Sequence, residues 1–359
     1  MITNPDSIRK GQPDPRLDHD VFVARYQQQF VDPAFEPMRM QILALAEIAW
    51  EAYKDGRKAP RTSPAGAGFK DPSYEISDEW RSVRDAIHEA QEQQQHPGTP
   101  SRLLLVCGSP RSEHTCPGEM SKSYRLLKAA EEEALRLGME CDVLELNRLT
   151  SEYGRTIYPC KACVSTAMPL CHWPCSCYPN HSLGQTQDWM GEIYPRWVAA
   201  HGIFIVAPVH WNQAPSVLKL MLDRLVCADG GNPDPTSTQG KKAELAKAIE
   251  LDGWDYPQHL AGRAFAVVVH GDTEGAQNSR HALADWLSET GLIEAGSKSQ
   301  VDRYIGYYEP YATSHAALDR DEAIFEETRN AVRSLAEQVQ QLRNGITSPG
   351  TELETPRQK

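Results

Sequence analysis

The chain has 359 residues, with 37 Lys and Arg against 49 Asp and Glu, and its formal charge of −12 at pH 7 argues against non-specific nucleic-acid binding, which depends on a basic surface. Its aliphatic runs are short and interrupted, and none reaches the roughly 18 apolar residues of a membrane helix. The opening segment, MITNPDSIRKGQPDPRLDHD, has no apolar core of the secretory kind, so a soluble, cytoplasmic protein without membrane or nucleic-acid partners is expected.

In chain order, residues 1–15 are polar and Pro-rich and are expected to be mobile or draped over a partner. Met38, Ile42, Leu43, Leu45, Ala46, Ile48 and Ala49 recur at helical spacing and predict a helix over 35–53. A Pro/Gly/Ser-rich break covers 58–72. Trp80, Val83 and Ile87 then predict a helix over 78–90, and the polar run QEQQQHPGTP at 91–100 reads as a linker. The expected organisation is an α-helical N-terminal extension over 1–100, a domain over 101–344 and a disordered tail over 345–359.

From residue 101 apolar runs and helical patterns alternate as they do in parallel sheets. Strands are expected at 102–107, 140–146, 202–207, 264–270 and 301–306. Helices are expected at 121–137, 185–200, 215–226, 278–290 and 321–342, with Gly138 closing the first of them. The polar segment 229–259 is long for a connection and reads as an insertion or interaction loop. Five strands with intervening helices make a doubly wound α/β domain on a five-stranded parallel sheet.

Ligands of such sheets bind outside the carboxyl ends of the strands, at the point where strand order reverses. After the first strand comes Gly108-Ser109-Pro110-Arg111, followed by a helix start at Ser121-Lys122-Ser123. A Gly-containing turn before a helix N-terminus is an anion site, and the serine hydroxyls with Arg111 and Lys122 suit a phosphate. The pattern is neither the P-loop nor the dinucleotide Gly-x-Gly-x-x-Gly. After the third strand comes Pro208-Val209-His210-Trp211-Asn212-Gln213, and after the fourth Gly271-Asp272-Thr273-Glu274-Gly275. A phosphate cradle, an aromatic and polar wall and a Gly-flanked polar turn together suit a planar, phosphorylated ligand.

GSPR after the first strand and APVHWNQAPSVLKLMLDR after the third resemble the NADPH-dependent FMN reductase family of flavodoxin-like flavoproteins, over about residues 101–306. The resemblance implies a flavodoxin-like fold, non-covalently held FMN and NAD(P)H as co-substrate. It also implies a small electron acceptor: a quinone, flavin, nitro or azo compound. It places Ser109, Arg111, Ser121 and Ser123 on the phosphate, Pro208, Val209, His210, Trp211 and Asn212 along the ring, and Gly271 and Asp272 on its far side. The loop 112–120 is longer than is usual in the family and can shift phosphate contacts to Thr115 or Lys122. His210 stands at a Tyr-like position. Because the flavin carries the chemistry, no general acid–base residue is singled out. Proteins of this fold commonly pair so that a neighbour walls the flavin, and with the apolar stripes of 35–90 and 321–342 a homodimer or homotetramer is expected. The alternatives are an electron-transfer flavoprotein serving a protein partner and a non-catalytic binding protein.

Nine cysteines, an odd number in a chain without an export signal, disfavour a disulfide framework. Five cluster: Cys160, Cys163, Cys171, Cys175 and Cys177, near His172 and His181, at metal-like spacing. Iron–sulfur flavoproteins of this superfamily carry a compact four-cysteine motif in the same loop. The gaps of seven, three and one residues after Cys163 depart from it. An iron–sulfur cluster or zinc, packing thiols, and a redox-reversible pair are the open readings.

Overall fold

Strand residues Leu103–Val106, Ile203–Val206 and Phe265–Val269 are almost wholly excluded from solvent, as expected of a parallel sheet covered on both faces. The computed structural model describes residues 17–346. The segment 1–15 and the tail after residue 346 lie outside the described residues.

The sheet belongs to a unit formed by Ile87–Tyr153, Ile193–Leu222 and the chain from Gln258 onward. Its strands are β1 (Arg102–Cys107), β2 (Glu140–Glu145), β3 (Gly202–Pro208), β4 (Ala264–Gly271), β5 (Ile293–Glu294) and β6 (Gln300–Tyr304). All pairings are parallel and the order is β2-β1-β3-β4-β5, with β6 also on β4. The expected fifth strand, 301–306, is found at Gln300–Tyr304, and the two-residue strand Ile293–Glu294 ahead of it was not expected. β5 pairs Ala264–Phe265 and β6 pairs Val267–Gly271, which makes six strands of the expected five. The order is that of flavodoxin-like sheets, and it reverses at β1 and β3.

Alternate strand residues fill one core layer: Leu103, Leu105, Cys107, Phe204, Val206, Ala264, Ala266 and Val268 pack with Leu126, Leu127, Ala130, Val332, Leu335 and Val339. Period-2 strands thus meet helices whose apolar residues recur every three or four positions. These helices, Lys122–Arg136 and Glu322–Arg343, are also joined by charge. Buried Glu133 accepts from Arg333 Nε at 2.6 Å and from Arg136.

A second unit is formed by the chain up to Ala86, Gly154–Glu192 and Asp223–Pro257. It holds the helices His19–Gln27, Arg39–Lys54 and Ala243–Leu251 and an antiparallel ribbon of Thr62–Pro64 with Glu75–Ser77. Trp80 Nε1 donates to the Pro174 carbonyl at 2.8 Å, and His181 lies 3.0 Å from Glu79. Arg224, whose side chain is fully buried, makes a two-point pair with Asp188 and lies over the Tyr178 ring. The N-terminal helices therefore share a unit with the cysteine-rich stretch.

Several expectations need correction. The helix of 35–53 begins only at Arg39, because Pro37 closes a 3-10 turn over Pro33–Met38 first. The helix Asp78–Gln95 runs through the Glu and Gln residues expected as a linker, since both are good helix formers and the first strong breakers are Pro97 and Gly98. The ribbon sits in and beside the stretch taken as a break, and the segment 229–259 holds a helix.

Candidate functional site

Gly108 follows β1 at the reversal point. A Cβ there would lie 3.0 Å from both Ala207 Cβ and Leu218 Cδ2, so the turn can approach β3 this closely only without a side chain. The Gly108 N–H donates to the Val206 carbonyl at 2.8 Å. Buried Ser109 accepts the Arg111 N–H at 3.2 Å, and Ser121 caps the next helix by accepting from the Tyr124 N–H at 3.1 Å. Each hydroxyl also carries an O–H that can donate to an anion, and that of Ser121 lies within reach of the Cys107 sulfur. Beneath the turn, burial pushes the Cys107 thiol up to about 12, so it stays protonated.

Lys122, the first residue of that helix, points its ammonium inward. The side chain is 11% exposed, Nζ is 3.7 Å from Asp272 Oδ2, and it has no hydrogen-bond partner among the described residues. Burial lowers its pKa while the Asp272 carboxylate acts the other way. A buried ammonium with unsatisfied donors is costly unless something anionic completes its shell. The Arg111 guanidinium turns instead to Glu119, at 3.2 Å.

Ser123 stands apart from the other serines. It is fully buried, and its Oγ lies 2.8 Å from Nε2 of His270 on β4. His270 was not among the sequence candidates, although a lone polar residue closing AFAVVVH was the available signal. Burial first, then the charges of Lys122 and His210, push His270 down to about 3 and keep it neutral. Its Nδ1 has no partner among the described residues.

After β3, the Val209 N–H donates to the His270 carbonyl at 2.8 Å. His210 and Gln213 then exchange backbone hydrogen bonds of 2.9 and 3.0 Å. Trp211 (φ 51°) and Asn212 (φ 63°) between them both adopt left-handed conformations, as a two-residue type I′ turn requires. Asparagine tolerates this backbone; tryptophan rarely does, so the surrounding structure imposes it. The turn leaves Trp211 95% exposed. Burial of the His210 ring itself lowers its pKa, with Asp272 pulling the other way. Gly271 ends β4, and its carbonyl accepts from the Ile305 N–H at 2.7 Å. Tyr304, Tyr307 and Tyr308 follow as a ring cluster, with centroids 5.0 and 4.3 Å apart.

The unit therefore gathers a Gly turn, a capped helix start, a buried unsatisfied ammonium and an aromatic hairpin at the carboxyl ends of β1, β3 and β4. These groups fit a phosphate joined to a planar ring.

The five clustered cysteines lie in the other unit. Among the described residues, no three His, Cys, Asp or Glu side chains are placed to hold a metal ion. Cys163 Sγ instead lies 3.4 Å from Cys177 Sγ, with Lys241 Nζ 3.6 Å from Cys163. Of the three open readings, the described residues assemble no metal-ligand group, and they bring two of the thiols together beside an ammonium.

Among known proteins, the chain is 31% identical over 198 residues to an iron–sulfur flavoprotein of Methanosarcina thermophila, a match covering 55% of this chain and 78% of the relative. Matches to solved structures are at low identity and at TM-scores below 0.5. RosB with bound 8-demethyl-8-formylriboflavin-5'-phosphate matches at 13% identity, TM-score 0.48, over 69% of this chain and 82% of its own. The NAD(P)H:(acceptor) oxidoreductase FerB of Paracoccus denitrificans matches at 15%, TM-score 0.37, over 67% and 98%. The model of the NADPH-dependent FMN reductase family matches residues 101–304, the span that contains every strand of the sheet and the loops of the site. On that match the chain belongs to the NADPH-dependent FMN reductase family and is a flavin-dependent oxidoreductase.

Proposed function

We propose that the protein is an FMN-dependent NAD(P)H oxidoreductase. Bound FMN would take a hydride from the nicotinamide and pass electrons on to a small acceptor such as a quinone, flavin, nitro or azo compound. The observation that carries this reading is the Lys122 ammonium, in the first turn of the helix that follows the Gly108 loop, buried 3.7 Å from Asp272 with no hydrogen-bond partner among the described residues. A phosphate monoester would complete its shell, with the Ser109 and Ser121 hydroxyls donating alongside it. The hairpin of His210, Trp211 and Asn212 would wall the ring from one side and Gly271 with Asp272 from the other. Ser123 would act indirectly, by holding His270 in place.

The relative's name supports flavin and also raises an iron–sulfur centre, for which no ligand set is found among the described residues. A homodimer in the cytoplasm completes the proposal. Exposed Trp211 and Tyr308 favour a second reading, in which this face docks a protein electron acceptor.

The test is an absorbance spectrum of the purified protein, followed by NADPH and NADH oxidation with menadione. Bound FMN with turnover is expected. Protein that stays colourless after FMN is added would overturn both readings, and bound FMN without turnover would favour the second.

A further inference from the structure

The flavin reading leaves the cysteine-rich stretch without a role. Its geometry lies within one unit, where the 3-10 turn Cys163–Ser165 is entered through Ala162 in the left-handed conformation (φ 50°). That turn sets Cys163, half-buried, with its Sγ 3.4 Å from Sγ of buried Cys177. A disulfide needs sulfurs about 2.05 Å apart, so closing the gap takes a movement of about 1.4 Å.

One ammonium touches the pair and a second lysine lies near Cys177. Lys241 Nζ is 3.6 Å from Cys163 Sγ and donates to the Leu170 carbonyl at 2.6 Å. Lys58 donates to the Ser176 carbonyl. The groups acting most strongly on Lys241 are the sulfurs of Cys177, Cys163, Cys175 and Cys171, with no carboxylate among them. Burial alone would depress Lys241; the sulfurs outweigh it and raise it. Among the described residues no carboxylate pairs with Lys241 Nζ, and the nearest group able to carry negative charge is Cys163 Sγ at 3.6 Å.

The cysteines are not equivalent. The hydrogen bond from Cys177 and the charge of Lys241 bring Cys163 down to about 7 against its burial. Cys175 is raised by its hydrogen bond with Cys177 and by burial, and Cys171 by burial first. A thiolate that is partly open to solvent and beside a cation is the reactive kind.

We propose that Cys163 and Cys177 are a reversible dithiol–disulfide pair, with Cys163 the attacking sulfur, Cys177 the resolving one and Lys241 the positioning residue. The oxidant is a low-molecular-weight disulfide, RSSR. The Cys163 thiolate attacks one sulfur, a Cys163–S–S–R bond forms and RS⁻ leaves. Cys177 loses its proton and attacks the Cys163 sulfur, which breaks the mixed disulfide and expels the second RS⁻. The cysteines give up two electrons and two protons, and RSSR becomes two RSH.

The test uses the full chain, equilibrated in glutathione buffers of graded ratio, acid-quenched, alkylated and mapped by mass spectrometry. A Cys163–Cys177 cross-link that forms with oxidised glutathione and disappears with dithiothreitol is expected. Cys163→Ser and Cys177→Ser should each abolish it. Lys241→Met should slow iodoacetamide modification of Cys163 about tenfold near neutral pH and move its pH profile upward, while Lys241→Arg restores both. A cross-link between other cysteines, or none across the series, would overturn the proposal. So would iron or zinc bound stoichiometrically and lost in both serine variants. None of these readouts depends on flavin.

Discussion

Lys122 and His270 sit within one buried polar cluster with Asp272 and Ser123, and each carries a test. Replacing Lys122 by Met removes a charge-assisted contact worth roughly 1.5–3 kcal/mol. FMN affinity should therefore fall about ten- to a hundredfold in a fluorescence titration, with the fold intact by circular dichroism. Arg111→Met should cost less, because Glu119 already engages that guanidinium. Unchanged affinity in Lys122→Met would mean that the phosphate sits elsewhere. For His270 the folded pKa of about 3 lies below the ordinary 6.5. The unfolded chain therefore binds a proton that the folded chain refuses. Stability is full above about pH 6.5 and falls as pH drops toward about 3, by about 2 kcal/mol at pH 5. His201, pushed down to about 4 by burial first and then by Arg343, adds a second share of the same sign. Urea midpoints near pH 7 and pH 5 should differ less in His270→Gln than in the parent chain.

The helices Lys122–Arg136 and Glu322–Arg343 are packed by apolar stripes and joined by Glu133. Its hydrogen bond from Arg136, then that from Arg333, holds the carboxyl at about 2, against the ordinary 4.5. This contribution is present above about pH 4.5 and is lost as pH falls toward 2. Because Arg136 and Arg333 are substantially exposed, solvent screens the pair and limits its worth. Glu133→Gln should cost about 1 kcal/mol, and a double-mutant cycle with Arg333→Met should recover most of it as coupling. Additive losses would mean that the two helices are held by apolar packing alone. These helix faces were legible in the sequence, since their Leu, Ala and Val residues recur every three or four positions. The extra two-residue strand Ile293–Glu294 was not. Whether Ile293–Glu294 pairs beside Gln300–Tyr304 depends on what β4 offers as a partner, and that is not a local property.

For the whole molecule, the unit of the N-terminal helices leaves Val31, Met40 and Ile48 exposed, at 79%, 74% and 68%. Apolar residues gathered on one short segment call for cover, and a second copy of this chain is the partner we propose. Sedimentation velocity at micromolar concentration should give a dimer that Met40→Glu with Ile48→Glu converts to monomer. A parent chain that is monomeric throughout would overturn the pairing. Among the described residues, no helix is long and apolar enough to cross a membrane.

The sequence alone was sufficient for the parallel sheet, and its resemblance to the family for the flavodoxin-like fold. Buried strands are apolar, and turns after them are written in Gly, Pro and Ser. It could name Ser109, Arg111, Ser121, Lys122 and Ser123 as one cradle but could not rank them. Ranking depends on which groups find partners across the fold, and here Arg111 reaches Glu119, Ser123 reaches His270, and Lys122 lacks a hydrogen-bond partner among the described residues. Cysteine spacing likewise left metal, packing and redox readings open. Only tertiary structure brought Lys241, from 78 residues away in the chain, onto Cys163, because charge and sulfur meet through space and not through sequence.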